Sequence, residues 1–175
     1  MRTLFISIAT CGALGCGALD FDVERPIPEQ RVPGSVVSAV LGDFFESPIP
    51  IDVDIASETA ARDTGPADSI HLTVLELSIT DTARPEGDED DFGFIDRVDV
   101  FVESSRADST LPRVKVAELG TVQYGATELS LDTFEDVDLL PYVEEGARMN
   151  AEASGTAPPD DVTYDGRVVL TVEVL

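Results

Sequence analysis

From Ser47 onward, aliphatic residues recur at every second position in one segment after another. A period of two marks a strand with one dry and one wet face, because successive side chains point to opposite sides of a sheet. "PIPIDVDIAS" alternates Ile49, Ile51, Val53 and Ile55 with Pro50, Asp52, Asp54 and Ala56. Its prolines lack the N–H that a central strand donates, so it is predicted at a sheet edge. "SIHLTVLELSIT" shows Ile70, Leu72 and Val74, then Leu75, Leu77 and Ile79. The phase slips by one between Val74 and Leu75, which predicts a β-bulge or a strand buried on both faces. "RVDVFVES", "PRVKVAEL", "TELSLDTF", "ARMNAEAS" and "RVVLTVEVL" continue the rhythm. Pro158-Pro159 and Asp165-Gly166 punctuate it as a loop and a turn.

About seven strands separated by turn-rich loops predict a mainly β protein, an antiparallel β-sandwich of immunoglobulin-like architecture with one or two short helices. The Cys and Trp landmarks of antibody domains are absent, so the comparison is architectural only. The first helix is predicted in "SVVSAVLGDFFE", where Val36, Val37, Val40, Leu41, Phe44 and Phe45 form one stripe behind Ser35 as N-cap. The second is a turn or two in "DVDLLPYVEEG", with Asp138 as N-cap and Gly146 as stop.

The N-terminal segment reads differently. Arg2 is followed by an apolar run over residues 4–15 and by small residues before Cys16, the layout of a secretory signal peptide. Twelve helical residues cover about 18 Å, short of the roughly 30 Å hydrocarbon core, so a membrane span is not expected. The four residues Ala13, Leu14, Gly15 and Cys16 resemble the lipobox of a bacterial lipoprotein signal, with the first two positions exchanged. The resemblance implies cleavage before Cys16, a diacylglyceryl thioether on that cysteine, and an exported protein at the outer membrane or cell surface. Ordinary cleavage is the alternative, since Ala13-x-Gly15 also satisfies the small-x-small rule; the product is then periplasmic or secreted. Cys11 lies inside the signal, so Cys16 has no disulfide partner once the signal is removed. The organisation expected is therefore a signal over residues 1–15, an extended tether over 16–34 containing Pro26, Pro28 and Pro33, and a single sandwich domain over 35–175. A polyproline-like tether of that length reaches about 50 Å from a membrane.

Composition narrows the function. Eleven Lys and Arg against 35 Asp and Glu give −24, and losing Arg2 with the signal takes this to −25. Such a surface repels nucleic acid and attracts cations or basic partners. With 43% hydrophobic residues in clear periods, the charge does not imply disorder.

The densest chemical feature is "PEGDEDDFGFID". Asp88, Asp90 and Asp91, with Asp81 before and Asp96 after, are candidate ligands for Ca²⁺, a hard cation that takes six to eight oxygens. The EF-hand spacing is not matched, and a solvated acidic loop is the competing reading. Asp160, Asp161 and Asp165 form a second acidic group with the composition of Asx-turns. Were the two loops to meet at one end of the sandwich, they could share a cation.

Catalysis has little footing. His71 is the only histidine and lies within an apolar strand, where a hydrogen-bonded structural role is expected. No Gly-x-Ser-x-Gly elbow, zinc ligand set or phosphate-cradling glycine loop is present. Glycoside hydrolysis usually requires an aromatic-lined cleft, and the chain has no Trp. The expected function is a non-enzymatic cell-envelope binding or structural module, meeting the membrane through a lipid anchor and otherwise an envelope protein or a glycan. The alternative is a Ca²⁺-dependent adhesive or carbohydrate-binding domain, with a carboxylate-dependent hydrolase behind both.

Overall fold

A computed structural model describes residues 20–35, 44, 48–82 and 89–174. The predicted signal over 1–15, Cys16 and Asp88 lie outside the described residues, as does the helix expected over 35–46 apart from its first residue and Phe44, which is buried. The described chain forms β1 (Phe21–Val32), β2 (Ile49–Ile51), α1 (Ile55–Ala61), β3 (Ala67–Thr80), β4 (Ile95–Ser104), β5 (Val114–Leu119), β6 (Glu128–Ser130), β7 (Asp132–Thr133), α2 (Leu140–Glu145), β8 (Ala147–Gly155) and β9 (Val162–Val174).

The strands make two sheets in the orders β1-β9-β3-β6 and β2-β8-β4-β5-β7, with every pair antiparallel. The expected antiparallel β-sandwich is therefore present. Leaving out the two-residue β7, the eight remaining strands numbered along the chain read 1-8-3-6 and 2-7-4-5. That is jelly-roll connectivity, distinct from the 1-2-5-4 and 3-6-7 order of an immunoglobulin constant domain. The core lies between the sheets, where Val23, Ile70, Leu72, Leu75, Leu77, Leu170 and Val172 face Val98, Val100, Val102, Val116, Met149 and Ala151.

The predicted phase slip is physical. Burial in β3 falls on Ile70, Leu72, Leu75 and Leu77, and the β3–β9 register shifts between Leu72 and Val74. One extra residue there keeps both halves of a 14-residue strand facing the same core.

Four expectations are corrected. Residues 21–32 are not tether: they form an edge strand hydrogen-bonded to β9 from Phe21↔Val172 to Val32↔Val162, with Val23, Ile27 and Val32 buried. Pro26 and Pro28 are tolerated because they sit on an edge. The predicted strand over 49–55 stops at Ile51, although it does lie at a sheet edge as expected. Asp54 instead caps α1, its carboxylate accepting from the Ser57 N–H (3.0 Å) and hydroxyl (2.7 Å). Asp165-Gly166 is no turn but lies within β9, opposite Ser78 and Leu77 across the register. Finally, the single strand expected over 127–134 is divided: β6 belongs to one sheet and β7 to the other, with buried Leu131 at the crossing. Together these make nine strands among the described residues rather than seven.

The second helix forms where expected and stops at Gly146, whose φ of 85° suits glycine. Asp138 serves this corner, but one residue before the cap: its carboxylate accepts from the N–H groups of Ile70 (3.1 Å) and Leu140 (2.9 Å).

Candidate functional site

Strand direction sorts the loops into two ends. The starts of β1 and β3 lie at one end with α1 and α2: the Arg62 guanidinium stands 4.2 Å over the Phe21 ring, and the Leu139 N–H donates to the Ile70 carbonyl (2.7 Å). At the other end gather the segments following β1, β3 and β5 and the β8–β9 loop. Here the Ser35 N–H reaches the Pro158 carbonyl (2.9 Å), and the Phe92 N–H reaches the Ala126 carbonyl (2.8 Å).

This second end is built on aromatic packing. Tyr164 stacks on Phe44 with centroids 4.8 Å apart and meets Phe92 edge-on at 5.8 Å. The Tyr164 hydroxyl donates to the Phe44 carbonyl (2.8 Å), and burial pushes its phenol far above the usual range. Because Phe92 is fully buried, the acids just before it are fixed at the surface. Asp91 closes an Asx-turn onto the Gly93 N–H (2.8 Å), while Asp90 accepts from the Thr82 hydroxyl (3.2 Å).

The two acidic loops do meet. Glu89, Asp90, Asp91 and Asp160 line one cleft of about 500 Å³, together with Tyr124, Pro158 and Pro159. Asp81 lies in an adjoining cleft with Glu29, Arg31, Asp160 and Asp161. Asp96 lines neither; it is exposed at the start of β4. Asp161 accepts from the Gly34 N–H (2.9 Å) and pairs with Arg31. Among the described residues, no three His, Cys, Asp or Glu side chains are arranged to hold a metal ion.

Tyr124 at this cleft was not singled out by the sequence and is 97% exposed. The signal that could have found it is its place between Gly120 and Gly125, outside any alternating segment. A second feature missed is an apolar-lined cleft of about 430 Å³ at the opposite end, bordered by Val53, Ile55, Pro66, Leu140 and Val143. It was hidden because residues 52–55 read as strand.

Charge is distributed unevenly. Every Lys and Arg side chain among the described residues pairs with a carboxylate. The densest network among the described residues lies on the outer face of β4 and β5: Arg97 bridges Asp99 (2.8 Å) and Glu118 (2.7 Å), and Lys115 bridges the same two at 3.2 and 2.6 Å. The Arg97 hydrogen bond holds the Asp99 carboxyl below the usual range, and Lys115 does the same for Glu118. Among the described residues, no Lys or Arg lines the cleft of Glu89 and Asp91.

His71 is held from both ring nitrogens. Nδ1 lies 3.2 Å from the Val137 carbonyl and Nε2 2.8 Å from Ser69 Oγ, whose hydroxyl also reaches Glu173 (2.7 Å). The ring ties β3 to the segment before α2 and to the end of β9.

No family model matches the chain, and no curated protein matches it. Among solved structures, a decameric BFDV capsid protein is similar over 89% of this chain and 98% of that one, at 10% identity and a TM-score of 0.41.

Proposed function

We propose that the protein is an exported, non-enzymatic cell-envelope module with a binding or structural role, anchored at the outer membrane or cell surface through a lipidated Cys16. One observation carries the reading: Arg2, a short apolar run and small residues lead directly to the only cysteine outside that run. An acyl thioether would remove a thiol that otherwise has no partner in an oxidising compartment. The acidic composition and the paired cations of the sheet face are consistent with a domain that recognises cationic groups and repels nucleic acid. Intact mass spectrometry of protein from a bacterial membrane fraction tests this. A chain beginning at Cys16 with lipid mass added, and lost in Cys16→Ser, is expected; an unlipidated chain refutes the anchor.

A second reading, a Ca²⁺-ordered adhesive or carbohydrate-binding end, is favoured by the meeting of residues 89–91 with Asp160. Backbone carbonyls and water must then complete the six to eight oxygens. Millimolar Ca²⁺ is expected to raise the thermal midpoint of the wild type and to leave the Asp90→Asn/Asp91→Asn variant unmoved; an unchanged wild type refutes the site.

A further inference from the structure

The start of β1 decides which end of the sandwich a lipid anchor holds against a membrane. Between Cys16 and Phe21 stand only Gly17, Ala18, Leu19 and Asp20. Even fully extended, at about 3.5 Å per residue, this spacer keeps the two Cα atoms within about 18 Å of each other. The 50 Å reach expected of a tether ending at Gly34 is lost, because β1 consumes residues 21–32 in pairing with β9. Phe21 stands at the end of the molecule that carries α1, with Arg62 packed on its ring. Strand β9 runs from the opposite end back to Val172 beside Phe21, and its 13 residues at about 3.3 Å each span about 43 Å.

We propose that the end formed by the start of β1, α1 and α2 is the surface that faces a phospholipid bilayer, and that the end bearing residues 89–91, Tyr124 and residues 158–160 is held about 40 Å farther out. The inference rests on lipidation of Cys16. Charge does not choose the orientation, since carboxylates are plentiful at both ends, with Asp63, Asp68 and Glu144 at the near one. The covalent attachment chooses it, because a spacer shorter than half the domain cannot bring the far end as close as the near end in an upright molecule. The consequence is that the acidic cleft and the exposed Tyr124 point away from the bilayer, toward whatever lies beyond the membrane surface.

The test uses the full chain, processed in bacteria and purified with its lipid. With Cys11 removed and Cys16 acylated, an introduced cysteine is the only free thiol. Ala60→Cys on α1 and Gln123→Cys beside Tyr124 each receive a fluorophore, and the proteins are placed in phosphatidylcholine vesicles whose headgroups carry a spin-label quencher. Several-fold stronger quenching at position 60 than at 123 is expected. Equal quenching at both, or stronger quenching at 123, overturns the orientation while leaving the anchor intact. Mass spectrometry of the same samples separates the two failures: absence of lipid on Cys16 overturns the anchor and the orientation together.

Discussion

Ile27→Ala separates a tether from a strand. If residues 17–34 were a solvated spacer, this substitution would remove a methyl-bearing side chain from water and leave stability unchanged. In the structure Ile27 is 2% exposed, packed in the core from the edge strand β1, opposite Gly166 in the register. Truncating a buried Ile to Ala costs about 2 to 5 kcal/mol, the lost transfer energy plus the residual cavity. Against a total of about 5 to 15 kcal/mol this is a large share. For a chain of this size each kcal/mol lowers the thermal midpoint by about 2 to 4 °C, so a fall of roughly 4 to 20 °C is expected. The matched control is Glu24→Ala on the same strand: its carboxylate is exposed and meets Arg167 at 3.4 Å, so a change within about 0.5 kcal/mol is expected. Both variants are made in the chain from Gly17 onward and compared by circular dichroism during thermal and urea unfolding. A midpoint for Ile27→Ala within about 1 °C of the parent, with cooperativity retained, refutes the assignment of β1 to the fold.

Tyr164→Phe removes the hydroxyl that donates to the Phe44 carbonyl while keeping the ring stack; a loss of about 1 to 3 kcal/mol in urea unfolding is expected. Acidification acts through Asp99 and Glu118, whose folded carboxyls titrate below their unfolded range. Their contribution is therefore complete above the ordinary carboxylate pKa of about 4 and is lost as pH falls through the folded values. Thermal midpoints measured against pH should drop in that window, and the Asp99→Asn/Glu118→Gln variant should show a shallower drop. Gly155→Ala sets a Cβ against the Phe94 carbonyl at a φ of 147°, so destabilisation by roughly 1 to 3 kcal/mol is expected in the same denaturation assay.

The strands most fully readable in the sequence have partners on both sides. β3, β4, β8 and β9 each bury one face along most of their length, so alternation survives in the residues, and even the bulge near Val74 is written as a phase slip. β1 escapes this logic. Its buried positions are Val23, Ile27, Gln30 and Val32; the period of two is interrupted by a register shift between Ile27 and Gln30, by two prolines and by the polar Arg25 and Gln30, so too few apolar residues recur to mark it. α1 is equally faint, seven residues whose only buried member is Thr59, so Asp54 read as one wet position of a strand rather than as a cap.

The candidate site divides along the same line. Its acids are visible as composition, yet the meeting of residues 89–91 with Asp160 depends on where β3, β4, β8 and β9 end in space. Tyr124 became notable only when the fold left it outside the core.

What this sequence determined by itself was the local alternation and the sandwich that alternation requires, because side-chain direction in a strand is a property of consecutive residues. What only the tertiary structure decided was the jelly-roll order, the recruitment of residues 21–32 into the sheet, and the gathering of two acidic loops at the end opposite Phe21. Those depend on pairings between residues more than a hundred positions apart, such as Phe21 with Val172, and no window along the chain contains both partners.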